Sequence, residues 1–305
     1  MKKSVKLSTA AALVLASSAF GQGRLIAVDS SRALFEVDMN TGAKTAIGTV
    51  SANASTTAGL AYDAATGTMY LTSTGNDSLF TLDIATGTAT LVGFYGDAAV
   101  VMHGLEWDSS TGTLYGASSH NGGLYSINTA NGVATLIGQS GLTSFTNLGH
   151  NSITNVMYAT NSGTDAFYVM DRATGSVTII GNLTGPTNPN ALAFNSANGL
   201  LYMADNNTDI LYTIDVTTGQ ANVVGSMGTG NNLGLAYIPD TAAACYANCD
   251  GSTGNPLLTA NDFQCFLNKF AANDTYANCD GSTGNPLLTA NDFQCFLNKF
   301  AAGCS

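Results

Sequence analysis

Six side chains near the C-terminus offer oxygen to a hard cation: Asn248, Asp250 and Asp262, then thirty residues later Asn278, Asp280 and Asp292. Ser252 and Ser282 add hydroxyls within the same two segments. A calcium loop wants oxygen ligands at positions 1, 3 and 5, glycine at 6 for the turn and a carboxylate at 12. Placing Asn248 at 3 puts Asp250 at 5 and Gly251 at 6, with Asp262, where a helix begins, taking the part of 12. Two departures are visible. Position 1 falls on Tyr246, and on Tyr276 in the second segment. Asn248 and Asp262 are also 14 residues apart, about five more than the standard loop needs. Thr259 and Asp262 equally fit a capping box that requires no metal, and the residues alone leave both readings open.

The two segments are copies. Residues 246–272 and 276–302 are the same 27-residue string, YANCDGSTGNPLLTANDFQCFLNKFAA. Phe263, Phe266, Leu267 and Phe270 fall on one helical face, as do Phe293, Phe296, Leu297 and Phe300, so each copy predicts a short helix. Units of under ~40 residues rarely bury enough surface without staples. Cys249 with Cys265, and Cys279 with Cys295, would each close a loop of about 16 residues, a stabilisation of roughly 3 kcal/mol. Cys245 and Cys304 flank the pair and suggest a clasp between its ends. Other pairings remain open, as does a zinc site, although the three histidines all lie far off in sequence.

The NCDGS and NDFQCFLNKFAA strings and the final Gly303-Cys304 resemble a dockerin. The closer likeness is to the cysteine-containing, dockerin-like terminal domain of secreted bacterial proteins. It covers 245–305 and is EF-hand-like in its loops. The resemblance implies calcium-ordered folding and docking to a cohesin-like partner or a surface scaffold.

A looser repeat fills 22–239. Its marker is LFEVDMNTG, LFTLDIATG, LYSINTANG, FYVMDRATG and LYTIDVTTG. The aligned aromatics Phe35, Phe80, Tyr125, Tyr168 and Tyr212 are spaced by 45, 45, 43 and 44 residues. Each unit adds a strand ending in glycine (TAIG, TATLVG, VATLIG, VTIIG, ANVVG), then one of the GLAYD type. A fourth strand follows in four of the five units. Short alternating strands at this period predict an all-β propeller, five blades of four strands, with six blades the main competitor. The last unit lacks its fourth strand, and RLIAVDS at Arg24–Ser30 matches it. The N-terminal strand is therefore expected to complete the last blade. The pattern resembles secreted NHL-like and YVTN-like propellers, a likeness that implies fold and little chemistry.

Residues that break the repeat are the candidates for a site. Glu106 stands where other units have Ala61, Ala193, Ala236 or Gly149. His103 precedes it where the first unit has Ala58, and His150 takes an aromatic slot shared by Tyr62, Trp107, Phe194 and Tyr237. These three are the candidates for a central-channel site, against a bland reading as packing residues. No catalytic residue is assigned: there is no Gly-x-Ser-x-Gly, HExxH or P-loop. Asp29, Asp38, Asp83, Asp171 and Asp215 read as turn residues.

Lys2, Lys3 and Lys6 before an apolar run from Leu7 predict a secretory signal peptide over 1–21, with 240–244 a linker ahead of the tail. The apolar run is too short to span a bilayer. Nine Lys+Arg against 20 Asp+Glu give a net charge of −11, which argues against nucleic acid and anionic membranes. The favoured expectation is a secreted or cell-surface, non-catalytic propeller for recognition or scaffolding. It would be tethered through a calcium-binding tail to a cohesin-like or surface partner, with polysaccharide as a possible ligand. The alternatives are a calcium-dependent propeller hydrolase or lyase acting on polysaccharide or a lactone, and a surface-layer component.

Overall fold

The computed structural model describes residues 23–97, 100–239, 246–250, 252 and 258–303. They fall into two compact units, the long repeat region and the tail. The signal peptide, the 240–244 linker and the Cys245–Cys304 clasp lie outside the described residues.

The long unit is a five-bladed propeller of four-stranded antiparallel sheets. Blade 1 combines β1 (Arg24–Asp29), β2 (Ala33–Val37) and β3 (Lys44–Thr49) with β20 (Asn232–Ile238) as its innermost strand. Blade 2 runs outward through β4 (Thr57–Asp63), β5 (Thr68–Ser73), β6 (Ser78–Asp83) and β7 (Thr88–Phe94). Blade 3 holds β8 (Met102–Asp108), β9 (Thr113–Ser118), β10 (Gly123–Ile127) and β11 (Ala134–Gln139). Blade 4 holds β12 (Phe145–Asn151), β13 (Val156–Asn161), β14 (Ala166–Met170) and β15 (Val177–Asn182). Blade 5 holds β16 (Pro189–Asn195), β17 (Leu200–Asp205), β18 (Ile210–Ile214) and β19 (Ala221–Ser226). Blades 2 to 5 therefore take their two inner strands from one sequence unit and their two outer strands from the next, whereas blade 1 joins β20 of the last unit to the N-terminal β1.

The ring closes as expected. β1 pairs antiparallel with β20, from Arg24 opposite Ile238 to Asp29 opposite Asn232. Leu25, Ile26, Ala27 and Val28 are fully buried there. β12 and β16 are buried along their whole length, whereas outer strands such as β15 hold no fully buried residue, the pattern of a sheet with one wet edge. Every outermost strand pair carries a register shift at the marker aromatic, for example between Leu79 and Phe80 and between Leu124 and Tyr125. Bulges of this kind blunt exposed sheet edges.

The turn after each marker strand is built by its Asp or Asn. The Asp83 side chain accepts from the Ala85 amide at 2.9 Å, and Gly87 N–H donates to the Asp83 carbonyl at 2.8 Å. Hydrogen bonds from Thr86 and Ala85 hold the Asp83 carboxyl below its usual range. The glycines of the turn and of the following strand also form a latch between blades. A Cβ on Gly93 would lie 1.8 Å from the Asn131 carbonyl oxygen, and one on Gly132 (φ +79°) would lie 2.4 Å from the Gly93 carbonyl oxygen. The pairs Gly138–Gly175, Gly181–Gly219 and Gly225–Gly42 repeat this backbone contact around the rim.

In the tail, α1 (Ala260–Ala271) and α2 (Ala290–Ala302) each start with a complete capping box, Thr259 with Asp262 and Thr289 with Asp292. Disulfides join Cys249 to Cys265 and Cys279 to Cys295, with Cα separations of 5.7 and 5.8 Å. The two copies share one core of Ala247, Phe266, Ala277 and Phe296, all fully buried. The Phe266 and Phe296 rings stack at 4.1 Å, and those of Tyr246 and Tyr276 at 4.8 Å. Each tyrosine hydroxyl donates to the backbone carbonyl of the other tyrosine. Lys299 and Lys269 lie over the outer faces of Tyr246 and Tyr276. No helix among the described residues is long and apolar enough to cross a membrane.

Candidate functional site

The five inner strands, TAGLAYD, MHGLEWD, FTNLGHN, PNALAFN and NLGLAYI, align position by position. They surround the axis in the order β4, β8, β12, β16, β20, with β20 returning to β4. Four of their five second positions, His103, Thr146, Asn190 and Leu233, line a cavity of ≈ 460 Å³ at the mouth where these strands begin. Val101, Ser119, His120, Ser144, Ser162, Asn188 and Asn231 complete the wall. None of these lining residues is a carboxylate, lysine or arginine. The His103 Nδ1 is hydrogen-bonded to Ser119 Oγ at 2.6 Å, and burial pushes the imidazole pKa down, keeping it neutral. Asn190 is almost fully buried, and its Nδ2 donates to Asn188. No hydrogen bond among the described residues uses His103 Nε2 or Asn190 Oδ1.

The third position closes the axis below. It is Gly59, Gly104, Ala191 and Gly234 in four strands, and Asn147 in β12. A Cβ on Gly59 would meet the His103 carbonyl oxygen at 2.4 Å, and one on Gly234 would meet that of Ala58 at 2.4 Å. Asn147 Nδ2 donates to the Asn190 carbonyl at 2.8 Å and toward that of Leu233 at 3.4 Å. β12 and β20 are not neighbours in the ring, so the second contact crosses the axis. Asn147, almost fully buried, thus bridges the axis beneath the cavity and makes the mouth blind. Asn147 was visible as a break at the first residue of the GLAYD core, where the other units have glycine or alanine; Asn190 lies one residue ahead of that core, at a position with no repeated residue type.

Glu106 and His150 do not join His103. They sit at the fifth and sixth positions, facing the seam between blades 3 and 4. The Glu106 carboxyl, half-buried, is raised well above the usual carboxylate range by burial, against the effect of the His150 and Trp107 amides. The His150 ring is buried beside Asp108, 3.5 Å from Nε2 to Oδ1, with Asn155 Oδ1 at 3.0 Å. Arg172, unnoticed in the sequence, completes the cluster. Its Nη1 donates to Asp108 Oδ2 and its Nη2 to the Asn155 carbonyl. The signal was present: the corresponding turn residues are Met39, Ile84, Thr129 and Val216. Burial opposes ionisation of Asp108, but the Ser110 hydroxyl, His150, the Ser110 amide and Arg172 together hold its pKa below the ordinary range. Neighbouring seams fill the same three places with Asn151, Phe194 and Val216, or Asn195, Tyr237 and Met39. The arrangement is a buried ion cluster within the packing of one seam.

The tail places its candidate oxygen donors in two equal sets. Asn248 Oδ1 and Asn278 Oδ1 are buried without any hydrogen-bond partner, while their Nδ2 groups donate to the Ser252 and Ser282 carbonyls. The Asp250 carboxylate, held below its usual pKa first by the Ser252 amide, lies against that of Asp262. Asp262 is fully buried and accepts from the Asp250 and Thr259 amides. Two adjacent carboxylates and an orphaned amide oxygen fit a hard cation. Capping accounts for Asp262 and leaves the orphaned asparagine oxygens unexplained. Tyr246 and Tyr276, at the first loop position, are committed to each other. Among the described residues no three His, Cys, Asp or Glu side chains cluster, so each set rests on two carboxylates and an amide.

No protein-family model matches the chain, and no curated protein matches it. Solved structures do. A chain of a nidogen–laminin complex aligns at 13% identity over 70% of this chain and 97% of its own, with a TM-score of 0.51. A protein of unknown function from Bacteroides thetaiotaomicron aligns at 15% identity over 72% of this chain and 63% of its own, with a TM-score of 0.53. Virginiamycin B lyase from Staphylococcus aureus aligns at 12% identity over 69% and 72%, with a TM-score of 0.44. At such identities the likeness to the first two is one of fold: residues 23–239 form a β-propeller.

Proposed function

We propose that this protein is an exported, non-catalytic recognition propeller, fixed to a surface or scaffold partner by a calcium-ordered, dockerin-like tail. One observation carries the reading: the blind mouth gathers hydroxyls, amides and neutral imidazole, with no carboxylate to act as acid or base. Convergent polar groups in a concave site are the usual mark of ligand recognition. Asn248, Asp250 and Asp262, with Asn278, Asp280 and Asp292, would hold the calcium ions, with Ser252 and Ser282 alongside. Bound there, calcium would supply charge that ties each loop to the start of its helix. Two disulfides and the expected signal peptide support export.

The test is calorimetry of the full-length protein with soluble neutral polysaccharides, followed by chromatography of the ligand. Binding with no change in ligand size is expected. Shortened products would overturn the non-catalytic assignment. The hydrolase or lyase reading draws on the 2.6 Å contact between Ser119 and His103, which has the geometry of a nucleophile and base. It lacks an acidic group to orient the imidazole among the lining residues. Loss of any such products in Ser119→Ala would favour it.

A further inference from the structure

We infer that the mouth receives the uncharged end of a neutral glycan chain, end-on, and does not grip an internal stretch. This rests on the reading of the mouth as a ligand site. The argument begins with the floor. Asn147 spans the axis, and the glycines beside it bring the inner strands too close for any side chain. A polymer cannot thread such a pocket, so what enters is either a small molecule or a terminus. The cavity, ≈ 460 Å³, lies in the lower part of the ~300–1,000 Å³ range of small-ligand sites.

Charge then selects among termini. A peptide end brings an ammonium or a carboxylate, and a nucleic-acid end brings phosphate. No carboxylate, lysine or arginine among the lining residues answers either charge, and burial favours the neutral form of His103. Taking an unpaired charge out of water is costly. A neutral sugar end carries only hydroxyls, each both donor and acceptor. His103 Nε2 and Asn190 Oδ1 are uncommitted and stand in the wall with the Ser144 and Ser162 hydroxyls. The only apolar lining groups, Val101 and Leu233, suit the carbon face of a ring.

The test uses the full-length protein and calorimetry with linear xylo-, manno-, cello- and maltohexaose. Each hexaose that binds is compared with the long soluble polymer, or a soluble derivative, of the same sugar. End-on capture predicts that binding titrates with chain ends. The hexaose saturates one site, and the polymer at equal mass binds weakly, in proportion to its few ends. Ser162→Tyr at the rim, and separately His103→Gln, should weaken hexaose binding by about tenfold or more. Equal or better binding by the polymer at equal mass would overturn the end-on inference and leave the mouth as a ligand site. Hexaose binding unmoved by either substitution, or no binding by any sugar, would instead sink the mouth reading itself.

Discussion

Replacing Arg172 with Met should destabilise the propeller, yet removing the whole charged cluster should not. Asp108 has no exposed side-chain area and His150 almost none, whereas Arg172 is 22% exposed. Stripping one partner from a fully buried ion pair costs about 3–5 kcal/mol. Here Asp108 keeps the Ser110 amide and hydroxyl, and Arg172 is partly wet, so about 2–3 kcal/mol is expected. For a unit of this size that lowers the Tm by roughly 5–10 °C. The triple change Asp108→Asn, His150→Phe, Arg172→Val copies the seam between blades 4 and 5. It should be neutral or mildly stabilising, since well-packed apolar groups often replace buried ions without loss. Trp107, the only tryptophan in the chain, lies beside Asp108 and reports urea unfolding by fluorescence. The pH dependence follows from Asp108. Its folded pKa is depressed, so its contribution is full above the unfolded value of about 3.9 and disappears as pH falls through the folded value. The triple variant should therefore lose less stability than the wild type on acidification below about pH 4. An Arg172→Met protein as stable as the wild type, or a triple variant worse than the single, would refute the reasoning.

Gly93→Ala should cost about 1–3 kcal/mol in urea unfolding, because the new methyl group meets the Asn131 backbone and forces the blades apart; unchanged stability would show that the rim latch is slack. Deleting residues 22–30 removes a strand buried from Leu25 to Asp29 and bares the edges of β20 and β2, so a sharply lower Tm and aggregation by light scattering are expected. A truncated protein that melts like the intact one contradicts ring closure by β1. Calcium should bind the full-length protein with calorimetric heat and raise the melting temperature of the tail, and Asn248→Ala with Asn278→Ala should abolish both while leaving the disulfides intact. Absence of heat from the unaltered protein at millimolar calcium disproves the metal reading.

The propeller was legible because its period of about 44 residues and its turn residues recur five times, and because β1 has no partner in its own unit. The phase of the blades was not legible. A cyclic repeat reads the same from any starting strand, and only the β1–β20 pairing fixes where a blade begins. The site was legible in part. His103, Glu106 and His150 all break the repeat, but strands rise about 3.3 Å per residue. The fifth and sixth positions therefore lie roughly 10–13 Å below the second, and their side chains meet a neighbouring blade instead of the mouth. Arg172 was hidden because a lone cation in a turn looks solvated until the fold carries it onto Asp108. Tyr246 looked like a missing ligand. Its role depends on stacking against its own copy thirty residues later, a contact no local pattern encodes.

Arg24 faces Ile238 at the end of the inner strands remote from the blind mouth, so the chain enters and leaves the ring on the same face. That placement has a mechanical meaning. Tension between something held in the mouth and something held beyond residue 239 would run along β20. The β1–β20 ladder lies parallel to that pull, so its backbone bonds would be loaded together in shear and not peeled one at a time. Under the proposed tethering, a seam that looks like a device for closing a circle would double as a rivet.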